Sequence, residues 1–135
     1  RKAGVEARES NTVLWGETPE AVVVSEGPIK FRVELRQPRN PGLFLDTREL
    51  RTWLRLNAEG KNVLNLFAYT GSLGMAALAG GAREVVQVDV SRRYLEWGEK
   101  NLALQAEAFG LPLQFRKQAT SAESYENVPL SETGE

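Results

Sequence analysis

The chain has 135 residues, 41% of them apolar and 26% charged, with a formal net charge of −1. That suits one globular domain or parts of two, and gives no bulk charge for gripping a polyanion. Cysteine and histidine are both absent, which excludes disulfides, thiolate nucleophiles, serine–histidine relays and Cys- or His-based metal centres. Chemistry must come from carboxylates, amides, backbone groups or a bound cofactor.

Residues 1–20 are polar and mixed, with Gly4, Gly16 and Pro19, and predict loose structure. The opening Arg1-Lys2 has neither an initiating Met nor a signal-peptide pattern, and reads as an internal boundary. No apolar run approaches the roughly 20 residues that span a bilayer, so the expected location is cytoplasmic.

Residues 21–25 form a β-branched run, and residues 29–35 alternate Ile29, Phe31, Val33 and Leu35 against Lys30, Arg32 and Glu34. This predicts a β-hairpin turning at residues 26–28. Two prolines and a glycine make residues 37–42 a loop. Asp46 or Thr47 is positioned to cap a helix reaching about Asn57, with Leu50, Trp53, Leu54 and in part Leu56 at helical spacing. Trp53 and Trp97 are expected in the core. Arg51 and Arg55, four apart, are either part of an RNA-backbone footprint or one solvated helix face.

Residues 62–67, NVLNLF, are a continuous apolar strand signal of the kind buried on both faces. A turn at 68–71 leads into a small-residue helix over 72–79, stopped by Gly80-Gly81. Residues 84–88 predict a second buried strand, ending at Asp89. Ser91 is suited to cap a long helix to about Phe109, where Asn101 is either a buried amide or exposed. Residues 111–115 predict a third strand, and 119–135 a polar tail. Strand–helix–strand–helix–strand connections imply parallel pairing and right-handed crossovers.

The turn after the first parallel strand is the chemically informative place. Glycine at Gly71 allows close backbone approach to a ligand, and the helix behind it presents unpaired N–H groups. Asp89 closes the next strand about twenty residues on, where a carboxylate accepts from ribose hydroxyls. Neither G-x-G-x-x-G nor a Walker lysine is present, so NAD- and ATP-binding patterns are not matched. By spacing alone, a nucleotide site and a plain βαβ turn both remain open.

The segments Gly42-Leu-Phe-Leu-Asp46-Thr-Arg48, VLNLFAYTG over 63–71, Gly80-Gly-Ala82 and Val88-Asp89-Val-Ser91 together resemble one family. It is the S-adenosylmethionine-dependent large-subunit ribosomal RNA methyltransferases of the cytosine-C5 and guanine-N2 type. The resemblance covers roughly residues 21–119. It implies an α/β fold: the front half of a class I methyltransferase, a Rossmann-like parallel sheet preceded by a small β-hairpin segment. The implied division is residues 1–45 from a preceding small domain, 46–118 as the cofactor-binding half domain, and 119–135 as tail.

The implied cofactor is S-adenosylmethionine. Asn65, Phe67, Ala68, Tyr69 and Gly71 would form the loop under its methionine part. Asp89 would hold the ribose, Ser91 would lie beside the adenine, and Asp46 and Arg48 would close over the site. Arg48 could meet the cofactor carboxylate or Asp46, or be solvated. Gln118 stands where the family has an Asp reaching the adenine amino group; an amide still hydrogen-bonds there without charge.

No catalytic residue is identified. The Asp-Pro-Pro segment that the family places at the end of its fourth strand is absent, as is the cysteine nucleophile of cytosine-modifying members. The expectation is a truncated or partial chain acting on ribosomal RNA, the alternative a non-catalytic βαβ nucleotide-binding or assembly module. An unpaired first strand would favour a second copy or strand exchange over the open edge. Residues 28–61 carry eight Lys and Arg against four Asp and Glu. That excess is either an RNA-backbone footprint or a solvated helix face.

Overall fold

The computed structural model describes residues 13–37, 39–109 and 115–119; predictions for 1–12, for 110–114 and for the tail beyond 119 lie outside them. The predicted hairpin is present. β1 (Val22–Glu26) pairs antiparallel with β2 (Ile29–Val33), Glu26 facing Ile29 across a two-residue turn. Ile29, Phe31 and Val33 enter the core while Lys30 stays exposed. The alternation does not carry to Leu35, which lies in a turn beyond the strand.

A 3-10 turn at Leu45–Thr47 precedes α1 (Arg48–Asn57). The predicted inward face of this helix is corrected. Trp53 is 58% exposed, and Leu50 and Leu56 are exposed too, whereas Arg51 is fully buried. Leu54 is half-buried and Ala58, just past the helix, is buried. The inward positions therefore run 51, 54, 58, a proper helical stripe, and of the two readings open for Arg51 the solvated face is not observed. Apolar periodicity could not find it because the residue leading the stripe is charged, and its charge is met by Glu26 of the hairpin.

The remainder is a parallel sheet ordered β3-β4-β5, built from β3 (Asn62–Leu66), β4 (Glu84–Asp89) and β5 (Phe115–Ala119). Helices α2 (Ser72–Ala79) and α3 (Arg92–Phe109) make the crossovers. Phe115, the last residue of the predicted third strand, is the first residue of β5; the rest of that prediction, residues 111–114, lies outside the described residues. Register with β4 sets Val85 opposite Phe115 and Asp89 opposite Ala119.

Helix α2 packs on α1, α3, β3 and β4. It covers the sheet face bearing Val63, Asn65, Val85 and Gln87. The hairpin shares that core: Ile29, Phe31, Val33 and Leu43 pack with Met75, Ala76, Ala77, Leu78 and Val85. On the opposite face Val88 of β4 is buried, while β3 is open. Leu64 and Leu66 are 47% and 46% exposed, so the two-sided burial predicted for β3 is not observed, and β3 has no described partner along its outer edge.

Amides on α3 fasten the hairpin to the sheet. Gln105 Oε1 accepts from Lys30 N, and Gln105 Nε2 donates to Lys30 O. Asn101 Oδ1 accepts from Arg32 N at 2.8 Å, and Trp97 Nε1 donates to Arg32 O at 3.0 Å. One helix face thus satisfies the outward backbone groups of β2, as a neighbouring strand would. Asn101 is the buried amide of the two alternatives, and Trp97 is in the core as predicted. Gln105→Ala is expected to lose about 1–3 kcal/mol by leaving Lys30 N–H and C=O unmatched, measured by urea unfolding. No loss would mean that water replaces the amide freely.

Candidate functional site

The site is built at the carboxyl ends of β3 and β4, where open parallel sheets place ligands. Phe67 and Tyr69 both adopt left-handed backbone conformations, with φ of 55° and 54°. Bulky side chains rarely do so, and such strain concentrates at ligand clamps. It persists here because the turn is fixed at almost every backbone group. Ala68 N donates to Val88 O at 3.0 Å, Tyr69 N to Asp89 Oδ2 at 2.9 Å, and Gly71 N to Ala68 O at 2.8 Å. Thr70 O accepts from Asn101 Nδ2 at 3.0 Å, and Gly71 O from Gln87 Nε2 at 3.1 Å.

Beneath the turn, Asn65 Nδ2 donates to Gln87 Oε1 at 2.6 Å. A Cβ at Gly74 would sit 1.9 Å from Gln87 Nε2, and one at Gly71 2.7 Å from the same atom. The predicted loop therefore rests on an amide pair in which Gln87 is buried and Asn65 half-buried. The structure places Asn65 with its side chain under the turn, joined to Gln87.

Asp89 is nearly buried, and its two oxygens face two backbone donors, Tyr69 N and Ser91 N, the latter at 2.8 Å. A carboxylate has about four lone-pair sites, so accepting capacity remains for further donors. Ser91 Oγ accepts from Tyr94 N at 3.3 Å and caps α3 as predicted. Gln118 lies on β5 opposite Val88, one register step from Asp89.

An aromatic group closes the near side. The Tyr69 ring lies 5.0 Å from Phe44 and 4.6 Å from Tyr94, the latter edge-on. Burial pushes the Tyr69 hydroxyl up to about 12, although the hydrogen bond from Gly42 N at 2.9 Å opposes this. Tyr69 is therefore a neutral phenol throughout the physiological range. Thr70 Oγ1 donates to Gly42 O, so the segment 42–48 is docked onto the turn through both backbone groups of Gly42. Asp46 is exposed beyond it, and Arg48 lies on the outer side of α1, near Glu26.

Reading the sequence by motif picks out the turn, Asp89 and Ser91. It misses Gln87, Asn101, Phe44 and Tyr94. A signal existed for Asn101: with Trp97 and Gln105 it forms a stripe of hydrogen-bonding side chains at four-residue spacing. Gln87 carries no such signal, because a single amide in an apolar strand does not announce its partner.

Comparison with known proteins agrees with this geometry. The family model described as S-adenosylmethionine-dependent methyltransferase matches residues 6–117. The chain is 44% identical over 99 residues to ribosomal RNA large subunit methyltransferase I of Aeromonas hydrophila, covering 72% of this chain and 25% of that protein. It is 51% identical over 81 residues to ribosomal RNA large subunit methyltransferase K/L of Chromohalobacter salexigens, covering 60% and 11%. It thus spans a quarter or less of these curated relatives. Among solved structures, SMU.776, assigned as a methyltransferase and crystallised with SAH, superposes with a TM-score of 0.73 at 31% identity, covering 84% of this chain and 29% of that one. A SAM-dependent methyltransferase from Agrobacterium tumefaciens gives 0.72 at 28% identity, covering 82% and 36%.

Proposed function

Because the chain belongs to the S-adenosylmethionine-dependent methyltransferase family, we propose that it holds S-adenosylmethionine at the 67–71 turn and serves methyl transfer to ribosomal RNA. The observation that carries this reading is the joint fixing of the turn and Asp89, with the Asp89 carboxylate bonded to Tyr69 N and Ser91 N. Asp89 takes the ribose hydroxyls on its remaining lone pairs. Phe67, Ala68, Tyr69 and Gly71 lie under the methionine part, with Asn65 supporting them through Gln87. Ser91 and Gln118 flank the adenine, and the segment with Asp46 covers the site. The cofactor supplies the methyl group; the chain's residues bind it, orient it and exclude water. The names of the relatives support RNA as substrate. A cytoplasmic location fits that substrate, and no helix among the described residues is long and apolar enough to cross a membrane.

Calorimetry with S-adenosylhomocysteine tests the reading. Wild type is expected to bind, and Asp89→Ala to bind more weakly by about 1–3 kcal/mol, the cost of losing a charged hydrogen-bonding partner. A folded wild type that shows no heat of binding sinks it. The exposed Leu64 and Leu66 support a second reading. In it the chain is a cofactor-holding module whose exposed β3 face and β3 edge are covered by further polypeptide or by a second copy. Methylation of bare ribosomal RNA by this chain alone would exclude that.

A further inference from the structure

A hollow of about 150 Å³ lies between the hairpin turn and α1, lined by Glu26, Ile29, Arg48, Arg51, Thr52 and Arg55. It is several times the ~30 Å³ share of one liquid water, room enough for a phosphate group. Arg48, Arg51 and Arg55 fall on successive turns of α1, so three guanidinium groups meet at one place. A single carboxylate, Glu26, faces them. Both of its oxygens are engaged by Arg51, through Nε and Nη2 at 2.8 Å each. Among the described residues, neither Arg48 nor Arg55 comes within ion-pairing distance of a carboxylate.

The hollow is therefore cationic by two charges beyond its internal pair, and an anion there relieves like-charge repulsion. Planar guanidinium forks match the oxygens of a phosphate. Further positive charge flanks the hollow in sequence, with exposed Lys30 on β2 and exposed Arg36 and Arg39 in the following loop. Arg51 also donates to Phe44 O at 2.8 Å, and the Phe44 ring packs on Tyr69. The hollow is thus joined directly to the segment that covers the cofactor turn.

We propose that this hollow is a phosphate-binding site, in which Arg48 and Arg55 grip a phosphodiester of the RNA substrate over the fixed Arg51–Glu26 pair. The proposal rests on the RNA-methyltransferase reading above and adds to it where the RNA backbone is held. It also decides between the two accounts of the basic excess in residues 28–61: part of the excess is a built anion site.

Anisotropy of a short fluorescein-labelled RNA stem-loop, titrated at several salt concentrations, tests it on the full chain. Arg55→Gln is expected to weaken binding about five- to tenfold at low salt and to lower the log–log salt slope by about one. Arg55→Lys should keep the slope while losing part of the affinity, because it keeps the charge and loses the fork. Lys100→Gln, on the exposed side of α3, should bind as wild type. Affinity for S-adenosylhomocysteine should be unchanged in Arg55→Gln. An Arg55→Gln chain with unaltered affinity and slope overturns the site, as does a wild type that binds S-adenosylhomocysteine but no RNA. A chain that binds RNA through Arg55 and no S-adenosylhomocysteine would sink the methyltransferase reading and leave the phosphate site standing.

Discussion

Replacing Arg51 with methionine is expected to destabilise the chain by about 3–5 kcal/mol, the usual consequence of removing one partner of a buried ion pair. Arg51 is fully buried. It grips both oxygens of Glu26, donates through Nη1 to Phe44 O and Thr47 Oγ1, and lies 5.7 Å from the centroid of the Phe31 ring. Methionine fills much of the volume and satisfies none of these acceptors. Glu26 would keep its charge in a site that is mostly closed to water. A loss of this size is a large part of the 5–15 kcal/mol that ordinary domains possess.

Urea unfolding measures the loss, and Glu26→Gln/Arg51→Met should recover part of it, since the stranded charge is gone. The acid limb gives a second check. The hydrogen bond from Arg51 holds the Glu26 carboxyl below its usual 4.5, against the opposing effect of burial, with the charges of Arg51, Arg48 and Arg55 adding to it. The unfolded chain therefore binds the proton first. Stability from this pair is full above about pH 4.5 and is lost as pH falls through the lower folded value. Glu26→Gln should flatten that part of the profile. An Arg51→Met chain as stable as wild type would show that the hairpin does not depend on the pair.

What was legible in the sequence follows from how local its causes are. The hairpin, the turn, the carboxylate of Asp89 and the cap at Ser91 each arise from a few neighbouring residues, and each is present, although β3 ends at Leu66 and Phe67 belongs to the turn and not to the strand. The inward face of α1 was hidden because its leading member is an arginine, whose burial depends on Glu26, twenty-five positions away. The exposure of Leu64 and Leu66 reverses an inference that was sound for a strand covered on both faces; α2 covers the Val63 and Asn65 side of β3.

The same distinction holds at the site. Motif and spacing picked out the turn and Asp89, and could not show what keeps them in place. That task falls to side chains from other elements: Gln87 from β4, Asn101 from α3, and the backbone of Gly42 from the loop before α1. Asn101 joins two of these tasks, since it accepts from Arg32 N of the hairpin and donates to Thr70 O of the turn. The hairpin and the cofactor turn are therefore not independent. Loosening the first releases a restraint on the second.

Gly42→Ala carries this to its strongest test. Gly42 has φ of 105°, a conformation costly to any residue with a Cβ, and that Cβ would lie 2.2 Å from Trp97 Cζ2. Strain of about 1–3 kcal/mol adds to about 1–3 kcal/mol for forcing a group into a filled core. The damage should also be functional. Gly42 N and O hold Tyr69 and Thr70, consecutive residues of the turn, so displacing Gly42 releases both. The expected result is a lower unfolding midpoint together with loss of S-adenosylhomocysteine binding in conditions where the chain remains folded. The double variant Gly42→Ala/Trp97→Phe separates the two costs. Phenylalanine removes the atom that clashes and leaves the backbone strain, so the pair should be more stable than the sum of its single changes by about 1 kcal/mol or more. Additive losses would place the whole penalty in the backbone. A Gly42→Ala chain with wild-type stability and affinity would show that the loop does not dock on the turn, and the account of how the strained turn is held would fail with it.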